Sequence, residues 1–173
     1  MEIILAENHG FCYGVKRAVE MANEAANGAG KSYTLGPIIH NPQVVGRLES
    51  KGVKPIDEVS DIDSGTMIIR SHGVGPAIYE EAENKGLNIV DATCPHVKKA
   101  QQDAKSVIED GMTLVILGEK NHPEVKSINL WANNEGIIIE DEESAQKLQI
   151  VEKMGVVVQT TFSQFKFTSI IEI

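Results

Sequence analysis

One phrase occurs twice in this chain. Cys12-Tyr13-Gly14-Val15-Lys16-Arg17-Ala18 returns as Cys94-Pro95-His96-Val97-Lys98-Lys99-Ala100, with Cys, Val, Lys and Ala in register and a basic residue after each Lys. The offset of 82 residues also carries Leu35-Gly36 onto Leu117-Gly118 and His40 onto His122. Self-similarity at a fixed offset marks a duplicated unit. Each copy opens on a cysteine and places a histidine 28 residues later.

Each cysteine stands where a helix begins. Asn88-Ile89-Val90 reads as a short apolar strand and Asp91-Ala92-Thr93 as a turn. Asp91 or Thr93 can cap the helix that follows, and Pro95 suits its first turn. Cys94 then faces unpaired N–H groups and the positive end of the helix dipole, a setting that favours thiolate, the form that binds metal. Lys16, Arg17, Lys98 and Lys99 either add positive charge near the thiols or form a solvated helix face.

Periodicity and breakers divide the rest of the chain. Strands are expected at Glu2–Ala6, Ser32–Leu35, Thr66–Ile69, Asn88–Val90, Thr113–Leu117, Gly136–Ile139 and Gly155–Gln159, the last as the counterpart of the strand before Cys94. Helices are expected over 13–26, 43–51, 77–85, 95–109, 125–132 and 142–148, with Trp131 packed on the sheet. Asn8-His9-Gly10-Phe11 and Gly52-Val53-Lys54-Pro55 read as turns, Gly28-Ala29-Gly30 closes the first helix, and Asp57–Asp63 reads as an acidic surface segment. Strands alternating with helices predict an α/β fold of two pseudo-repeated lobes, each a small parallel sheet flanked by helices. Ligands of such sheets bind beyond the carboxyl ends of the strands. His40, His72, His122, Glu124, Thr160, Cys12 and Cys94 all fall just after apolar strands, on that edge.

A formal net charge of −9 argues against general affinity for nucleic acid or for an anionic membrane. Nothing near Met1 resembles a signal peptide, and no apolar run reaches the ~18 residues needed to span a bilayer. The expected location is cytoplasmic, where two cysteines rarely form a disulfide and a redox or metal role is the better reading. Two thiolates from repeated units suit an iron–sulfur cluster, with a Cys/His zinc site or no metal as alternatives. The histidines suit a phosphate or diphosphate, as N–H donors and, when protonated, as cations; binding would then weaken above the imidazole range. Glu124 can carry protons or sit exposed at a helix start, and Thr160 can orient a hydroxyl or simply end a strand.

Phe11-Cys12-Tyr13-Gly14-Val15, Gly36-Pro37-Ile38-Ile39-His40-Asn41, Arg70-Ser71-His72-Gly73-Val74, Asp91-Ala92-Thr93-Cys94-Pro95, Gly118-Glu119-Lys120-Asn121-His122-Pro123-Glu124 and Gln159-Thr160-Thr161 together resemble the 4-hydroxy-3-methylbut-2-enyl diphosphate reductase family of the non-mevalonate isoprenoid pathway. The resemblance implies three α/β lobes around a 4Fe–4S cluster, with one cysteine from each lobe and a unique iron for the substrate hydroxyl. It implies that two electrons, from a ferredoxin- or flavodoxin-type donor, and two protons remove that hydroxyl as water. The products are isopentenyl and dimethylallyl diphosphates. By motif, Cys12 and Cys94 become cluster ligands, and His40, His72 and His122 hold the diphosphate. Glu124 delivers protons with Thr160 and His122 beside it, and Gln159 lines the same pocket.

The family's third lobe, with a third cluster cysteine and further Ser and Asn ligands, has no counterpart in this sequence. The lobes expected here are 13–94 and 95–173, with 1–12 a strand and turn that belong to the third lobe in the family. Phe162–Ile173 resembles the start of a connecting helix. The resemblance therefore implies a shortened, inactive form of the reductase that self-associates through the face a third lobe would cover. The alternatives are a diphosphate- or partner-binding fragment without a cluster, and a zinc-dependent hydrolase using His and Cys.

Overall fold

The computed structural model describes residues 2–7, 9–28, 30–149 and 152–173. The first lobe runs α1 (Tyr13–Ala26), β1 (Ser32–Leu35), α2 (Pro42–Ser50), β2 (Val53–Ile56), a 3-10 turn (Val59–Asp61), β3 (Thr66–Ile69), α3 (Pro76–Asn84) and β4 (Asn88–Asp91). The second runs α4 (Pro95–Glu109), β5 (Thr113–Leu117), α5 (Pro123–Trp131), β6 (Ile137–Ile139), α6 (Glu142–Gln146), β7 (Met154–Val158) and α7 (Gln164–Ile171). Each lobe has its own all-parallel sheet, in the order β2-β1-β3-β4 in the first and β6-β5-β7 in the second.

Parallel sheets are covered on both faces, so their inner strands are buried, and β3 and β5 are apolar after a leading Thr. Met67, Ile68 and Ile69 of β3 are fully buried, as are Leu114 to Leu117 of β5. Ile68 packs under α1 and α2 with Ala18, Ala22, Val44 and Leu48, while Met67 and Ile69 face Val59, Ile62 and Ala82 on the other side. In the second sheet Leu114 and Ile116 meet Ala104, Val125 and Ile128, and Val115 and Leu117 meet Ile139 and Ile170. The registers level the carboxyl ends of the strands. Leu35 lies between Ile56 and Ile69, and Leu117 between Ile139 and Val158. The loops that leave these ends therefore start from one line in each lobe.

Several expectations are corrected. Glu2–Ala6 is an exposed segment without strand pairing, because no sheet edge among the described residues lies beside it. The stretch from Val53 is a strand rather than a turn; Pro55 is tolerated because β2 is the edge of its sheet and needs no further N–H pairing. The acidic segment 57–63 is not wholly surface, since Val59 and Ile62 project into the core. By its place beside β5, β7 corresponds to β3 rather than to β4, which has no counterpart in the second lobe among the described residues. The correspondence sets Gln159-Thr160-Thr161 against Arg70-Ser71-His72. Of the expected turns, Asn8 and Ala29 lie outside the described residues. No helix among the described residues is long and apolar enough to cross a membrane.

Candidate anion and redox site

Three loops bring three imidazoles together. His40 follows β1, His72 follows β3, and His122 follows β5 in the other lobe. Nitrogens of all three lie within 4.8 Å of one another. The ring centroids are 4.6 Å apart for His40–His72, 5.4 Å for His72–His122 and 6.1 Å for His40–His122. Such rings cannot all be charged at once. Burial, then the charges of His40, Arg70 and His122, pull the His72 imidazole from 6.5 down to about 4. His72 is thus neutral at pH 7 in the free protein, and its Nδ1 is buried without a partner.

The tautomer of His122 is set by the backbone. Its Nδ1 accepts the Glu124 N–H at 3.2 Å and caps α5, so in the neutral ring Nε2 carries the proton. A metal-ligating imidazole needs the reverse, a bare nitrogen toward the ion and its other N–H donating to an acceptor. The cleft therefore suits an anion better than a zinc ion.

The lobes meet at this cluster, and the loop 71–75 crosses the seam. Ser127 Oγ on α5 donates to the His72 carbonyl at 2.8 Å, and Trp131 Nε1 donates to the Val74 carbonyl at 2.9 Å. Gly73, at φ +71°, leaves space that a Cβ would fill 2.4 Å from Gln101 Nε2. Trp131 accordingly packs against the first lobe, edge-on to Tyr79, rather than on its own sheet. On the same seam Asp91 accepts from the Thr93 N–H and pairs with Lys98 at 2.6 Å, bracing the turn that carries Cys94. Burial pushes the Asp91 carboxyl up, but Lys98 and Thr93 more than offset it and hold it below its usual range.

Two residues past His122, Glu124 is 2 % exposed despite its charge. Thr160 satisfies it fully: the backbone N–H donates to Oε1 at 2.6 Å and Oγ donates to Oε2 at 2.8 Å. Gln159 is buried beside it, accepting the Glu119 N–H at 2.9 Å and donating to Thr161 Oγ at 2.9 Å, so its amide braces the loop that bears His122.

Cys12 and Cys94 are the N-cap residues of α1 and α4, both are free, and neither side chain caps its helix. The two helix starts converge: a Cβ on Gly14 would lie 2.5 Å from Cys94 Sγ. Two unpartnered thiols at adjoining helix N-termini fit two ligands of an iron–sulfur cluster.

Sequence reading did not single out Arg70, Ser127 or Gln101. Only Arg70 carried a visible signal, as a charged residue at the end of an all-apolar strand. Ser127 and Gln101 lie on helix faces whose partners, the His72 carbonyl and Ser127 itself, are 55 and 26 residues away, and no local pattern shows them.

Fold and site together define a two-lobed α/β protein with a cluster of three histidines and two free helix-start cysteines near the junction of its lobes. A family model described as LytB protein matches residues 3–173, and the chain belongs to that family. It is 52% identical over 163 residues to the 4-hydroxy-3-methylbut-2-enyl diphosphate reductase of Geotalea uraniireducens, covering 94% of this chain and 58% of that protein. Over 171 residues it is 45% identical to the reductase of Trichlorobacter lovleyi, covering 99% of this chain and 61% of that protein. A solved structure of (E)-4-hydroxy-3-methyl-but-2-enyl diphosphate reductase, the terminal enzyme of the non-mevalonate pathway, matches with a TM-score of 0.86 at 43% identity, over 98% of this chain and 62% of the other. The Plasmodium falciparum reductase matches with a TM-score of 0.91 at 32% identity, over 96% and 54%. The chain thus spans about 58% of the length of the curated relatives it matches.

Proposed function

We propose that this chain forms the diphosphate-holding and proton-delivering part of a reductase that removes the hydroxyl of 4-hydroxy-3-methylbut-2-enyl diphosphate. The observation that carries this is the convergence of His40, His72 and His122 from three loops within 4.8 Å, two residues from a buried Glu124. The balance is two electrons and two protons in, water and isopentenyl or dimethylallyl diphosphate out. Cys12, just before the lobe spanning 13–94, and Cys94, at its end and just before the lobe spanning 95–173, would hold a 4Fe–4S cluster. When bound there, such a group would supply one-electron chemistry, fed by a ferredoxin- or flavodoxin-type donor, and Lewis acidity for the leaving hydroxyl.

The chain's own residues do the rest. The three imidazoles donate N–H groups to the diphosphate, and its negative charge draws a proton onto a ring that is otherwise kept neutral. Glu124 stores a proton next to Thr160. With the carboxylate ionised, Thr160 Oγ–H points at Oε2. With it protonated, that hydrogen bond reverses and the Thr160 hydroxyl is released toward the cleft. A proton then passes from Thr160 to the substrate and is replaced from Glu124. Gln159 keeps the His122 loop and the Thr160 turn in one frame.

Titration calorimetry with inorganic diphosphate tests the anion site, and iron and sulfide analysis after anaerobic reconstitution tests the thiols. Wild-type protein should bind diphosphate, and His122→Ala should lose about tenfold or more in affinity. Cys12→Ser and Cys94→Ser should each lower the iron recovered. Zinc binding that competes with diphosphate and is tighter would sink the anion reading. Diphosphate binding without iron in any preparation would leave a binding module in place of an enzyme.

A further inference from the structure

Arg70 is the residue the mechanism has not used. It stands at the end of β3, two residues before His72, and its Nε is buried without a partner. Among the described residues no carboxylate lies within ion-pair distance of its guanidinium, although Asp and Glu number 25 against 16 Lys and Arg. Exposed lysines find acidic partners freely, as Lys105–Glu109 and Lys147–Glu143 show. Leaving a half-buried guanidinium unpaired is unfavourable, and such groups persist where an anion completes them.

The surroundings of Arg70 have been cleared for it. Gly36 opens the loop that carries His40, at φ +70°, and a Cβ there would lie 2.7 Å from Arg70 Nη1. Any other residue at position 36 would strain its own backbone and displace the guanidinium. The charge of Arg70 also reaches His72, where it is among the causes that keep the ring neutral. The guanidinium thus lies between the His40 and His72 loops, on the cleft side of the sheet's carboxyl edge.

We propose that Arg70 is a fourth ligand of the anion in this cleft, its guanidinium donating to a diphosphate oxygen from the floor between Gly36 and His72. The assignment rests on the diphosphate reading above and deepens it. Imidazoles supply donors, and burial keeps that of His72 neutral; a guanidinium brings standing charge and paired N–H donors in the plane that phosphate oxygens match. Arg70 would therefore account for anion capture by a protein whose net charge is −9.

The test uses inorganic diphosphate as probe. Calorimetry compares wild type, Arg70→Gln, Arg70→Lys and His122→Ala. Arg70→Gln should weaken binding about tenfold or more, and Arg70→Lys should recover part of the loss because it restores a charge without the fork. In parallel, wild-type protein is treated with an arginine-directed dicarbonyl reagent and mapped by peptide mass. Diphosphate should slow modification of Arg70, while sodium chloride at equal ionic strength should not, and Arg47 on the exposed face of α2 should react equally in both. If wild type and Arg70→Gln bind diphosphate within twofold of each other while His122→Ala fails, the Arg70 assignment falls and the diphosphate reading stands. If wild type binds no diphosphate, both fall. Should Arg70→Gln not fold, the Lys variant and the protection experiment decide: unprotected Arg70 in diphosphate-bound wild type overturns the proposal.

Discussion

After β3 the first lobe turns through Arg70-Ser71-His72; at the same level of its own sheet, after β7, the second turns through Gln159-Thr160-Thr161. One loop offers a guanidinium and an imidazole, the other an amide and two hydroxyls, of which that of Thr160, with its backbone N–H, holds Glu124. The loops after β1 and β5 differ as well. Asn41 caps α2, its Oδ1 accepting from Val44 N at 3.1 Å, which leaves His40 without a capping task. In the second lobe the cap has moved back one position onto His122 itself. The strands have kept their apolar pattern because both faces of each sheet must be buried. The loops, which bury little, have been free to diverge, so that one lobe presents Arg70 and His72 where the other presents Gln159 and Thr160.

The comparison breaks most directly at the cores. Ile68→Ala and Ile116→Ala each empty a fully buried site and should each cost about 2–5 kcal/mol. Because the loop 71–75 is docked on α5, calorimetric melting should show one transition in both variants. Two separable transitions would make the lobes independent units.

A smaller effect sharpens the asymmetry at the β3 and β7 loops. The folded protein holds His72 near 4, whereas the unfolded chain holds it near 6.5, so between those pH values the unfolded chain binds the extra proton. The stability contribution is whole above pH 6.5 and is lost as pH falls toward 4, by no more than about 2–3 kcal/mol after allowing for solvent screening. Denaturant unfolding of wild type and His72→Asn across that range should show a slope in the first that is reduced in the second. Parallel slopes would mean that His72 is not held neutral.

The displaced cap gives a third contrast. His122→Ala should lower stability by about 1 kcal/mol, His122→Asn should restore most of it as a good N-cap, and His40→Ala should cost α2 almost nothing. All three should bind diphosphate more weakly by calorimetry, so stability and affinity fall together only in His122→Ala. Least of all, Trp131→Phe should cost about 1 kcal/mol for the unpaired Val74 carbonyl. In wild type the fluorescence of Trp131, the sole tryptophan, should shift as the seam opens in denaturant.

The frame of the fold was legible in the sequence because its signals are local. The apolar runs at Ser32–Leu35, Thr66–Ile69 and Thr113–Leu117, and the prolines at 42, 76, 95 and 123 just inside their helices, announce strands and helix starts. The repeat placed Cys12 with Cys94 and His40 with His122. Where reading failed, the deciding partner was remote. Val53–Ile56 was misread because Pro55 signals a turn unless the strand is known to be an edge, and edge position is a property of the sheet. Glu2–Ala6 has strand composition but nothing among the described residues to pair with. Trp131 was assigned to its own sheet because an aromatic at helical spacing does not reveal that a carbonyl 57 residues earlier is its partner. The lowered pKa of His72 follows first from burial and then from charges that include His40 and His122, and both the burial and those two rings are set by residues remote in sequence.

The docked loop has a consequence during synthesis. The His72 and Val74 carbonyls receive their hydrogen bonds from Ser127 and Trp131, 55 and 57 residues later in the chain. At about 5–20 residues per second, a ribosome takes roughly 3–11 s to add that stretch. For that interval the first sheet can already be closed while its histidine loop has no partner. The nascent protein thus passes through a stage with a formed first lobe and an undocked 71–75 loop, and the three histidine loops come together only when the α5 segment arrives.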